Sequence, residues 1–251
     1  MKNINDAISK LEYDFLRTDK HLGNNIIFLC FGGSHAYGTN DANSDIDIRG
    51  CAFNQKSDLI GLSSFEQFTD NKTIIYSFNK LINLLINCNP NAVELLGCKP
   101  EHYIVNSVGQ EMISNRKMFL SRKVVNSFGG YANKQLKRLQ NAVAKDNNKK
   151  TKKILNKYAQ NLTRLYLMAI DIFEKEEIIT YRENDLPLLL SIRNGKYINE
   201  DGTYQSEFFD LINEFERRLD YAKETSGLPV NPDYKKIEEF VMHVNKKVVV
   251  G

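Results

Sequence analysis

The sequence predicts an α+β fold, with a front of mixed α and β character up to about residue 115 and a helical remainder. Three observations predict it. Short apolar runs bounded by turn residues recur in the front part, as at 26–31 and 73–78. Beyond residue 115, apolar residues recur at three- and four-residue spacing over long stretches. The 251 residues leave room for two modest units, expected at 1–115 and 116–251.

The elements follow in order. Ile4, Ala7, Ile8, Leu11 and Phe15 share one helical face, so the spacing predicts an amphipathic helix over 3–21. Residues 26–31 read as a buried strand, which Gly32 and Gly33 break. Residues 34–37 form a short helical turn, and Asp41-Ala42-Asn43-Ser44 is turn chemistry. Residues 45–53 alternate as a strand, and 73–78 give another. A helix over 77–88 ends at Asn89-Pro90-Asn91, which also starts the next one. In the back half, Val125 to Val143 and Leu155 to Ile172 mark two long helices, followed by helices over 204–225 and 233–247. The polar run 146–150 reads as an exposed loop between helices.

Bulk properties narrow the function classes. Net charge is +3, too small to argue for a polyanion by itself. The cysteines Cys30, Cys51, Cys88 and Cys98 are scattered without a C-x-x-C, which fits buried thiols in a reducing compartment and gives a zinc site no support. The N-terminus carries no signal-peptide apolar region, and no run approaches the roughly 18 apolar residues that span a bilayer. A soluble cytoplasmic protein without a membrane partner is expected.

The chemistry concentrates in Phe31-Gly32-Gly33-Ser34-His35-Ala36-Tyr37-Gly38 and in Asp45-Ile46-Asp47-Ile48. On a strand, Asp45 and Asp47 share one face at a Cα separation of roughly 7 Å, a spacing that suits a pair of Mg²⁺ ions (Mn²⁺ as the alternative). Glycines let backbone approach a ligand, the turn after them offers free N–H groups, and the Ser34 hydroxyl adds a donor. A phosphate cradle at Gly32, Gly33 and Ser34 beside a carboxylate pair suits phosphoryl or nucleotidyl transfer.

The ordered pattern, Gly33-Ser34-His35-Ala36-Tyr37-Gly38 followed by Ser44-Asp45-Ile46-Asp47-Ile48-Arg49-Gly50, resembles the signature of the DNA polymerase β-like nucleotidyltransferase superfamily. It is closest to the YcgL-type, RNA-ligase-associated branch of predicted nucleotidyltransferases. The likeness continues through Asn89-Pro90-Asn91-Ala92-Val93-Glu94-Leu95-Leu96, Tyr131-Ala132, Ile192-Arg193-Asn194-Gly195 and Leu228-Pro229. It implies a small mixed sheet carrying the site, then a helical domain that binds nucleotide or substrate. It also implies a third metal-binding carboxylate on a neighbouring strand, for which Asp70 is the candidate. Where the branch has a histidine, this chain has Asn161.

Further candidates surround that core. Arg49 has the parity of Asp47, so it either holds phosphate or pairs with the aspartates. Lys80 either reaches a triphosphate or lies on the surface, and His35 either touches ligand or is a solvated turn residue. Glu94 reads as structural. Ten Lys or Arg against the one acid Asp146 lie between Lys134 and Arg164, a footprint for a polyanion. Within it Lys157, Asn161 and Arg164 form one polar stripe, expected to border the cleft and contact phosphate through Lys157 and Arg164. The expected reaction moves an NMP from an NTP, ATP among the candidates, to an acceptor hydroxyl on RNA, tRNA, a protein or a small molecule. Two alternatives stay open. One is a non-catalytic nucleotide- or RNA-binding protein. The other is a toxin or defence enzyme that modifies tRNA or a protein.

Overall fold

The computed structural model describes residues 3–70, 72–142 and 149–251. Two short helices, α1 (Ile4–Ile8) and α2 (Phe15–Thr18), precede β1 (Ile26–Gly32) and α3 (Gly33–Tyr37). Then come β2 (Asp47–Ala52), α4 (Lys56–Ile60), β3 (Gln67–Asp70), β4 (Thr73–Ser77), α5 (Phe78–Ile86) and α6 (Pro90–Val93). The front closes with β5 (Tyr103–Val105) and α7 (Ser107–Ser114). The back half holds α8 (Val124–Ala142), α9 (Lys149–Lys175), α10 (Leu186–Arg193), α11 (Ser206–Thr225) and α12 (Tyr234–Val250). The architecture is α+β. Among the described residues no helix is long and apolar enough to cross a membrane. Residues 146–148 of the expected loop lie outside the described residues.

Among the described residues five strands form one mixed sheet in the order β3-β4-β2-β1-β5, with β2 and β4 parallel and the other pairs antiparallel. The helix expected over 3–21 is instead two helices joined by a tight turn. Lys10 adopts an extended backbone, φ −69° and ψ 150°, which ends the first helix. The break buries Tyr13 and Leu16 and leaves Leu11 93% exposed, so packing on the sheet overrides the helical stripe. It also lets the Tyr13 hydroxyl donate to Ile46 O at 3.1 Å, pinning the residue between the two aspartates. The short strands β3 and β5 were not anticipated. β3 is an edge strand with mostly exposed residues, and β5 has three residues, so neither carries a long apolar alternation.

The two sheet faces have different covers. Leu29 and Phe31 of β1, Ile48 of β2 and Ile75 of β4 pack on Ile4, Ala7, Tyr13 and Leu16 of the N-terminal segment. Phe28, Cys30, Cys51 and Tyr76 belong to a larger core with Leu81 and Leu85 of α5, Leu165, Met168 and Ile172 of α9, and Phe240 of α12. That core runs without a break across residue 115. A third cluster joins α8, α9, α10 and α11 through Leu155, Ala159, Leu162, Leu189, Phe208 and Ile212. α9 therefore serves both halves, and its first turns flank the end of the sheet where β1 gives way to α3. Caps follow the expected chemistry: Asn89 accepts from Asn91 N at 3.0 Å, and Asp233 accepts from Lys236 N at 3.2 Å.

Candidate active site

β1 ends at Gly32, opposite Asp47 on β2, and the chain turns through Gly33 into α3. Gly33 has φ +55°, a left-handed conformation that disfavours a Cβ. A Cβ there would also stand 2.3 Å from Asp47 Oδ2, so the glycine lets the turn close directly on that carboxylate. No side chain caps the first turn of α3, which leaves its N–H groups for another acceptor. The segment after α3 is held by local bonds. Thr39 N donates to Ser34 O at 2.9 Å, while Asn43 N and Ser44 Oγ donate to Asp41 Oδ1 at 2.9 and 3.0 Å.

Asp47 is the first residue of β2 and is part-buried, whereas Asp45 lies ahead of the strand with its side chain 71% exposed. The expected strand over 45–53 therefore begins two residues late, and the Asp45 position is set by the incoming loop rather than by strand alternation. Both carboxylates still line one cleft of about 540 Å³. Gly33, Ser34, Asp41, Asn43, Ser44 and Lys72 line it from the front half; Lys153, Lys157, Gln160 and Asn161 line it from α9, and Arg193 from α10.

The acids of the cleft each face a cation. Lys72 Nζ lies 2.9 Å from Asp45 Oδ1. This hydrogen bond and charge hold the Asp45 carboxyl below its ordinary range, with a smaller pull from Lys157, and raise Lys72 in turn. Asp41 is also lowered, first by its bonds from Ser44 and Asn43 and then by Arg193, 3.9 Å away.

The remaining candidates divide. Arg49 faces Asp47, with Nη2 at 3.8 Å from Asp47 Oδ1, while its Nη1 donates to Ile48 O and Lys72 O at 2.9 and 3.0 Å. Of its two expected roles, the structure holds the ion pair. Lys157 and Asn161 reach the cleft as the stripe on α9 predicts. Arg164 does not, which corrects that expectation. It is 6% exposed, its Nη1 donates to Glu94 Oε2 at 2.9 Å, and its guanidinium lies 3.8 Å from the centre of the Tyr37 ring. Seven residues along a helix is about 10.5 Å of rise, so the same stripe that borders the cleft at Lys157 has passed beneath α3 by Arg164. The Tyr37 hydroxyl donates to both Glu94 oxygens at 3.0 and 3.1 Å, and burial pushes that phenol well above its ordinary value. Glu94 is buried in this network and does not line the cleft.

Asp70 is likewise corrected as a third carboxylate beside Asp45 and Asp47. It pairs with Thr73, which pairs with Ile48, and Phe68 of the same parity packs on the N-terminal cluster. Asp70 does not line the cleft with Asp45 and Asp47; it lines a separate hollow with Arg49, Thr69, Lys72 and Ile74. Lys80 is held by Glu66 at 3.1 Å and does not line the cleft. His35 is buried with its ring 5.5 Å from Phe31, so it packs inward and is not a solvated turn residue. Gly32 acts by close packing, since a Cβ there would stand 2.7 Å from Arg49 Cγ.

Lys72, Lys153 and Arg193 line the cleft without having been singled out. Lys153 sits one turn before Lys157 on α9, and Arg193 lies in a segment that carried the resemblance, so both left a signal. Lys72 left none, because its place depends on strand pairing.

Among the described residues that line it, the site offers a metal oxygen donors, a hard set that suits Mg²⁺ or Mn²⁺. Two carboxylates fit such an ion when a ligand's phosphates complete its shell. Among the described residues no three His, Cys, Asp or Glu converge.

A glycine turn leading from a strand into a helix, closed on a carboxylate that opens the next strand, is the arrangement expected of a DNA polymerase β-like class of protein. The chain belongs to the RlaP family, the RNA repair pathway DNA polymerase beta family, whose model matches residues 7–243. No curated protein and no solved structure matches it.

Proposed function

We propose that the chain is a Mg²⁺-dependent nucleotidyltransferase that moves an NMP from an NTP to a hydroxyl of an RNA acceptor. The observation that carries this reading is the contact of Gly33 backbone with the Asp47 carboxylate at the floor of a cleft shared with Asp45. A phosphate resting on that turn lies beside both carboxylates. Asp45 and Asp47 would hold the ion, which when bound neutralises phosphate charge and eases deprotonation of the attacking hydroxyl. Ser34 and the N–H groups of α3 would orient the phosphates. Lys153 and Lys157 balance the triphosphate charge, and the family's RNA repair setting supports RNA as the acceptor. The acceptor oxygen bonds the α-phosphorus as pyrophosphate leaves.

The test is transfer of label from α-³²P NTPs to RNA in Mg²⁺. Asp47→Asn is expected to abolish transfer with the melting temperature unchanged. Full activity in that variant would remove the carboxylate pair from the mechanism. The second reading, a nucleotide- or RNA-binding protein without turnover, is favoured by one observation: a lysine, not a third carboxylate, stands beside Asp45. RNA and nucleotide binding without label transfer by the wild type would select it.

A further inference from the structure

Lys72 is fixed beside the carboxylates by its backbone as well as by its charge. β2 and β4 run parallel with Ile48 opposite Thr73 and Arg49 opposite Ile74. One step back in the same register, Lys72 stands next to Asp47, and its carbonyl accepts from Ile48 N at 2.9 Å and from Arg49 Nη1 at 3.0 Å. In a parallel pair, residues in register share a face. The β4 side of the Asp47 face is thus Lys72, Ile74 and Tyr76, with no carboxylate among them. The ammonium at the head of that row lies 2.9 Å from Asp45 Oδ1.

Two adjacent divalent ions need carboxylates to offset their mutual repulsion. Here one of the two carboxylates is already neutralised by a tethered cation. The cleft also holds Lys153 and Lys157, positioned to take up triphosphate charge that a second ion would otherwise meet. We propose that the Lys72 ammonium occupies the place of one metal ion, so that the site binds a single divalent cation together with a triphosphate. The inference rests on the nucleotidyl-transfer reading and sharpens its metal requirement. It also reconciles the lysine with catalysis, since an ammonium on Asp45 supplies part of the positive charge that a second ion would bring.

The experiment counts bound Mn²⁺ by electron paramagnetic resonance after equilibrium dialysis against Mn²⁺ and inorganic tripolyphosphate, a probe without a base. Wild type is expected to hold one Mn²⁺ per chain, Lys72→Arg one, and Lys72→Asp two. Two ions in the wild type, or no gain in a folded Lys72→Asp, would overturn the proposal. Should Lys72→Asp unfold, the wild-type count decides alone. No bound Mn²⁺ in the wild type with tripolyphosphate present would instead remove the metal-dependent reading of the site itself, and this inference with it.

Discussion

Two carboxylate–cation pairs lie one above the other along α9, and they have opposite characters. At the mouth of the cleft, Asp45 and Lys72 meet at 2.9 Å with side chains 71% and 47% exposed. Beneath α3, Glu94 and Arg164 meet at the same 2.9 Å with side chains 8% and 7% exposed. The distances are equal, but the surroundings are not. Water screens the upper pair, so its contact adds little to the stability of the fold. The lower pair is out of water, and each charge depends on the other and on Tyr37 for compensation. The lower pair joins the turn after α6 to α9, and through Tyr37 to α3, so it fixes the frame on which the upper pair sits.

The largest effect expected tests that contrast directly. Arg164→Ala leaves Glu94 buried without its cation, a loss of about 3–5 kcal/mol in stability, while Asp45→Asn at the exposed upper pair should leave stability nearly unchanged. Urea titration of the two variants reads the difference. Equal losses would mean that burial does not separate the pairs, and partial recovery in Glu94→Gln/Arg164→Met would sharpen the assignment.

Next is the turn between them. Gly33→Ala places a Cβ at 2.3 Å from Asp47 Oδ2 and forces alanine to φ +55°. We expect a loss of about 1–3 kcal/mol and displacement of the Asp47 carboxylate. Triphosphate affinity, measured by calorimetry, should fall with stability here, whereas a melting loss with unchanged affinity would detach the turn from the cleft.

Ser34→Ala should behave as an upper-site change. One hydrogen bond to a charged phosphate is worth about 1.5–3 kcal/mol, or roughly ten- to a hundred-fold in affinity, with no shift in melting temperature. Unchanged affinity would return Ser34 to a packing role.

The smallest effect lies at a third pair, Glu174 and Arg218, joined by two bonds at 2.8 and 2.6 Å on α9 and α11. The bonds from Arg218 hold Glu174 below its ordinary value of 4.5. A lowered carboxyl gives stability that is present above pH 4.5 and lost as pH falls through its folded value. Arg218 is half exposed, so screening limits the gain to about 0.2–1 kcal/mol. Glu174→Gln should therefore lag the wild type slightly at pH 7 and match it at pH 3. A gap that persisted at pH 3 would mean packing, not charge, holds this pair.

Legible along the chain alone are the α+β order, the glycine turn, the Asp45–Asp47 pair and the cleft-facing Lys157 and Asn161. These are local: a glycine pair breaking an apolar run, two acids one residue apart, and residues spaced by one helical turn all act over a few positions. Tertiary structure decided the rest. Asp70 and Lys72 are two residues apart on the chain, yet strand pairing leaves one outside the cleft and brings the other to Asp45. Arg164 shares the stripe of Lys157, but only the packing of α9 under α3 shows that it has descended past the cleft to Glu94, seventy positions away in sequence. The N-terminal stripe reads as one helix until the sheet draws Tyr13 and Leu16 inward. In each case the deciding contact joins segments far apart in the chain, and a pattern read along the chain carries no term for the energy of that contact.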